Sequence, residues 1–175
     1  MTVYKFEDKI PEISSTAYVQ PSASIIGNVK IGAQCFIGPS AVIRADFGRI
    51  IINSGCAVED NCVLHCEGDS LIIEDDVIVG QSSIVHGPCL IKGNVVIGMG
   101  SIISTGCEIG SYSFIGAGSV LLEGKNIPGG NLVAGYPAEF KKELDEKLLT
   151  YIKLSTEGYR LLSERYLKGL KVMMP

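Results

Sequence analysis

Aliphatic residues recur along this chain at intervals of six. The first run is Val19, Ile25, Ile31, Ile37 and Ile43, and the second is Ile52, Val58 and Leu64. A third starts at Ile73 and keeps phase through Val79, Val85, Ile91, Ile97, Ile103, Ile109, Ile115 and Leu121 to Ile127 and Val133. Each gap between runs is nine residues, one repeat plus three. A three-residue insertion at a corner would preserve the phase. Four residues after most of these aliphatics stands a small side chain, among them Ala23, Cys35, Cys56, Cys62, Ser83, Cys89, Ser101 and Cys107.

A period of six with one large and one small inward residue is neither helical nor simply alternating. It predicts hexapeptide coils, in which short strands form three flat sides and about 18 residues complete one turn. Glycines that follow the aliphatic directly, such as Gly32, Gly38, Gly80 and Gly98, ease the corners. Over roughly residues 17–134 the pattern resembles the left-handed parallel β-helix of hexapeptide-repeat proteins. The expected fold is therefore all-β, a left-handed parallel β-helix over residues 1–136, followed by a C-terminal helical segment over 137–175. In that segment Leu144, Leu148, Ile152, Tyr159, Leu162 and Tyr166 form an apolar stripe, which predicts a helix from Lys141 to about Leu170. Pro137 fits a first helical position, and Gly158 is expected to split the helix, with Ser155 capping its second part. The stripe must pack on its own coil or on a neighbouring subunit.

Composition narrows the function. The 175 residues are 46% hydrophobic and 19% charged, enough for one cored domain. A net charge of −4 excludes nucleic acid as the primary partner, since phosphate binding needs a basic face. No apolar run reaches the roughly 18 residues of a membrane span, and MTVYKFEDKI lacks the apolar core of a signal peptide. A soluble cytoplasmic protein is expected. The six cysteines contain no C-x-x-C pair. Five of them (Cys35, Cys56, Cys62, Cys89 and Cys107) fall on the small inward position, Cys35 stacking on Cys56 and Cys89 on Cys107. They read as reduced core thiols.

The repeat also places outward residues. Ile43, Leu64 and Val85 fall on the same side of successive coils, so Arg44, His65 and His86, which follow them, share one outward column with rungs about 4.8 Å apart. Both histidines of the chain stand on adjacent rungs and can point at one metal, which needs nitrogens at roughly 2.0–2.1 Å. Glu59, Asp60 and Gln81 belong to a different edge. Within one subunit they are not expected to meet the histidines. In a trimer with its axis parallel to the coils, one subunit's edge would face the next subunit's histidine column.

The blocks RADFGRIIINSGCAVEDNCVLH and VGQSSIVHGPCLIKGNVVIGMGS resemble those of gamma-class carbonic anhydrases. They are nearest the bacterial branch encoded with phenylacetate and carnitine metabolism, often labelled as transferases. AGYPAEFKKEL resembles that branch's closing segment. The resemblance implies a homotrimer with zinc between subunits on three histidines, two from one chain and one from the next. His65 and His86 match two of these, and Gln81 stands at the third. It implies that Arg44 and Asp46 form an interface pair, that Asp60 matches the family aspartate, and that Glu59 replaces a usual glutamine. It also implies that zinc acidifies a water, which attacks carbon dioxide to give bicarbonate. With a weaker carboxamide donor at Gln81 the zinc would be held less tightly, and Glu59 is expected to compensate as ligand or base. Two other functions stay open. One is a CoA-dependent acyltransferase using an acyl-CoA, as in many hexapeptide β-helices. The only insertions, at Ala45–Arg49 and around Glu67–Ser70, offer it little pocket. The other is a non-catalytic trimeric scaffold or binding protein.

Overall fold

A computed structural model describes residues 2–173, so Met1 and Met174–Pro175, the ends of the two expected segments, lie outside the described residues. The chain winds into a parallel β-solenoid of about seven turns. Short two-residue strands such as Tyr18–Val19, Phe36–Ile37, Ala57–Val58, Ile78–Val79 and Val96–Ile97 stack in parallel as one side. Longer strands, Ser24–Ile31, Val42–Ile52, Val63–Ile73 and Ile84–Ile91, bend across the other two sides and stack in that order.

The six-residue aliphatics fill the interior. From Ile25 to Leu121 every one of them is almost wholly buried, while Val19 at the first coil is only partly covered. The small inward residues do more than leave room. Ser83 Oγ donates to the Gly98 carbonyl at 3.1 Å, Ser101 Oγ to Gly116 at 3.1 Å and Ser113 Oγ to Pro128 at 3.2 Å. Cysteine thiols take the same role, Cys35 toward Asn53 and Cys56 toward Glu74, each at 3.0 Å. A hydroxyl or thiol at this position satisfies a carbonyl that the corner leaves without a ladder partner. All six cysteines are buried free thiols. The sixth, Cys66, is also buried, in the widened corner.

The nine-residue gaps appear as two matched widenings. Register runs Gly27↔Ala45 and then Val29↔Ile50 on one side, and Gly87↔Cys66 and then Cys89↔Leu71 on the other. The extra residues of Val42–Ile52 and Val63–Ile73 lie on adjacent coils, with Arg49 opposite Ser70. They form a small blister at one corner, next to the histidine column.

The C-terminal segment departs from its expected boundaries. Pro137 lies in the turn of an antiparallel hairpin, Asn131–Gly135 with Ala138–Glu143, and not in a helix. Gly135, at φ +116°, lets the chain reverse there. The helix runs unbroken from Glu146 to Gly169, so Gly158 does not split it and Ser155 caps nothing. Its cap is Asp145, whose carboxylate accepts from Leu148 N–H at 2.9 Å. The expected stripe does face inward. Ile152 is fully buried, and Leu144, Tyr159, Leu162 and Tyr166 pack on the outward column of the short-strand side, Tyr18, Phe36, Ala57, Ile78 and Val96. Tyr151 meets Phe114, whereas Tyr166 meets Tyr18, so the helix runs back along the solenoid from its last coils to its first. Ser163 Oγ donates to the Cys35 carbonyl, and Arg160 pairs with Asp76 at 2.6 Å. Among the described residues no helix is long and apolar enough to cross a membrane.

Candidate metal site

Strand pairing sets Arg44 opposite His65 and His65 opposite His86. The predicted column therefore exists, and it stands beside the blister. The imidazoles of His65 and His86 have ring centroids 5.3 Å apart at a steep angle. His65 is buried at 8% exposure, and the exposed Phe47 ring from the blister meets it edge-on.

The backbone alternates faces, so Asp46 lies on the same face as Arg44, two residues on. Arg44 pairs with Asp46 within the chain, and the second Asp46 oxygen lies 3.2 Å from His65 Nε2. Burial raises the Asp46 carboxyl. Hydrogen bonds from Arg44 and His65 outweigh this and hold it below its ordinary value. The Nε2 of His65 is thus engaged by Asp46, which leaves its Nδ1 on the other side of the ring. That Nδ1 faces Glu67, whose Oε1 is 3.8 Å away.

One ligand atom from each of His65, Glu67 and His86 lies within 4.8 Å of the others. Zinc ligands at bonds of about 2.0–2.1 Å sit roughly 3.4 Å apart, so modest side-chain motion would close the set on an ion. The two imidazoles and one carboxylate fit a divalent transition metal in donor type and spacing. Glu67 was not among the sequence candidates, although its position two residues after His65 in an extended segment puts both on one face.

Glu59 and Gln81 lie elsewhere, as the column count requires. They line a cavity of about 330 Å³ beneath the helix, with Val96, Phe114, Tyr151 and Tyr159. Glu59 is buried at 5% exposure. Burial raises its carboxyl, and a hydrogen bond from Tyr159 works against that rise. Within the chain Glu59 thus stands apart from the histidines, buried under the helix. Asp60 turns toward Gly38, where an added Cβ would fall 2.5 Å from its carboxylate oxygen.

A β-solenoid with six-residue periodicity defines the class, and comparison with known proteins agrees. The bacterial transferase hexapeptide family (six repeats) matches residues 88–123. The carnitine operon protein CaiE of Proteus sp. (strain LE138) is 34% identical over the whole of this chain and 89% of its own length. A solved Bacillus cereus structure, described as a "putative acetyltransferase", is 38% identical with a TM-score of 0.92, covering 94% of this chain and 96% of its own. A hexapeptide transferase family protein from Anaplasma phagocytophilum is 35% identical with a TM-score of 0.90, covering 94% and 98%. The chain belongs to the hexapeptide-repeat family, in the branch of the CaiE proteins.

Proposed function

We propose that this protein is a metal-dependent hydratase of the gamma carbonic anhydrase type, with carbon dioxide as substrate. The observation that carries the reading is the stacked His65–His86 pair, two imidazoles on facing rungs at 5.3 Å between centroids. A zinc ion bound there supplies acidification of water and polarisation of the substrate oxygen. The chain's own residues hold and orient. Asp46 accepts from His65 Nε2 and sets its tautomer, and Arg44 steadies Asp46. Phe47 shields one edge of the His65 ring from solvent. Zinc content and carbon dioxide hydration are measured on the purified protein and on His86→Ala. Loss of both in the variant supports the reading, and equal hydration in the two proteins sinks it.

Acyl transfer from an acyl-CoA is the second reading, favoured by a different observation. His65 and Asp46 at 3.2 Å form a base with an orienting carboxylate, the pairing that activates an acceptor amine or hydroxyl. The transferase descriptions of the relatives support it. Saturable acetyl-CoA binding without any effect of added zinc would favour this reading over hydration.

A further inference from the structure

The third histidine position of the resemblance is Gln81, and Gln81 faces the cavity under the helix, not the histidine column. A carboxamide oxygen is also a weak donor for zinc beside imidazole nitrogen. The chain has only two histidines. A metal on His65 and His86 therefore needs another ligand.

We infer that Glu67 is that ligand, so that the metal set His65, Glu67 and His86 is complete within a single chain. This rests on the reading that the histidine pair holds a metal, and names what finishes the site. Three local rules bring the set together. Two-residue alternation puts Glu67 on the face of His65, in-register pairing puts His86 on the next rung, and the blister leads Glu67 out beside both. Their ligand atoms lie within 4.8 Å of one another. The nitrogen of His65 that Asp46 leaves free is the one 3.8 Å from Glu67 Oε1.

Glu67 is also free to move inward. Its side chain is 59% exposed, and Gly68 follows it at φ +96° with nothing within 4 Å of a notional Cβ. That exposure leaves the carboxylate room to swing by about an ångström. Charge agrees with this arrangement. Neutral imidazoles with one carboxylate leave a single positive charge on a divalent ion, and Asp46, already neutralised by Arg44, serves His65 and not the metal. Two imidazoles and a carboxylate leave a fourth position free for solvent or substrate, the pattern of catalytic and not structural zinc. Nothing from a neighbouring subunit is required.

The test measures zinc affinity by competition with a chromophoric chelator and bound zinc by elemental analysis. It compares full-length wild type with Glu67→Gln, Glu67→His, Gln81→Ala and His86→Ala. Far-UV circular dichroism confirms that each variant is folded. The expected result is about one zinc per wild-type chain at every protein concentration. Glu67→Gln should weaken binding beyond the roughly 10–100-fold typical of losing a supporting residue, since a direct ligand is removed. Glu67→His should restore it, and Gln81→Ala should leave it unchanged. Zinc retained by Glu67→Gln overturns the inference whatever Gln81→Ala does, and zinc lost in both overturns its single-chain claim. If wild type binds no more zinc than His86→Ala, the failure belongs to the histidine-pair reading itself.

Discussion

Two faces of the same coils carry opposite chemistry. On one, the outward column reads Tyr18, Phe36, Ala57, Ile78 and Val96, and a 24-residue helix covers it. On the other, the outward column includes Arg44, His65 and His86, and no helix covers it among the described residues. The backbone is the same parallel ladder on both, and the interior aliphatics are interchangeable. What differs is the outward residues that flank the inward ones, before them in the covered column and after them in the histidine column. One column makes a packing surface and the other makes a site. The difference predicts that stability and metal binding separate cleanly by face.

The largest effect should come from the covered face. Phe36 touches Tyr18, Tyr159 and Tyr166, and Phe36→Ala should cost about 3–5 kcal/mol, read as a fall in the urea midpoint, with zinc affinity per folded chain unaltered. A parallel loss of zinc would break the separation. Next comes Gly38→Ala, since a Cβ there lies 2.5 Å from Asp60 Oδ1 and 2.8 Å from its backbone nitrogen. A destabilisation of about 1–3 kcal/mol is expected from the forced shift. Asp145→Ala removes the helix cap and should cost about 1 kcal/mol, again without touching the metal. On the open face the pattern inverts. His86→Ala should abolish zinc retention while moving the metal-free melting temperature by little, because the side chain points outward and is only partly buried.

The smallest effect has a pH signature. Burial raises the folded carboxyl of Glu59 above its ordinary 4.5. The folded state thus holds this proton more tightly than the unfolded state. The contribution is fully present below about pH 4.5 and is lost as pH rises through the folded value. Glu59→Gln keeps an acceptor for Tyr159 and removes the charge. The variant should match wild type in melting temperature at pH 4 and exceed it slightly at pH 8. An equal offset at both pH values would show that packing, not ionisation, sets the difference.

The interior was legible in the sequence because its rule is local and recurs at nineteen aliphatic positions with two offsets. Once the period and its two offsets of three are read, the Arg44–His65–His86 column follows by counting. The covered face was less readable: Tyr18, Phe36, Ile78, Val96 and Phe114 precede inward aliphatics on that side, but Val42, Val63, Ile84 and Ile102 do so on the histidine side too. The hairpin at Tyr136–Pro137 was not legible, because a proline fits a turn and a first helical turn alike. Glu67 escaped because the six-residue frame has no place for an inserted residue. Within the blister the governing period is two, and under that period Asp46 and Glu67 join Arg44 and His65 without further information.

A stack of parallel strands has no natural length, because each coil offers the next a full row of unpaired amides and carbonyls. After Asn131–Gly135 the chain doubles back and lays Ala138–Glu143 antiparallel on that row, so the end of the sheet is occupied by the protein's own strand. That strand is exposed and carries Glu139, Lys141, Lys142 and Glu143. Mixed charges and reversed polarity make it a poor template for another copy's first coil. The hairpin that misled the helix boundary thus occupies the end of one side of the solenoid, where a further parallel coil would otherwise add.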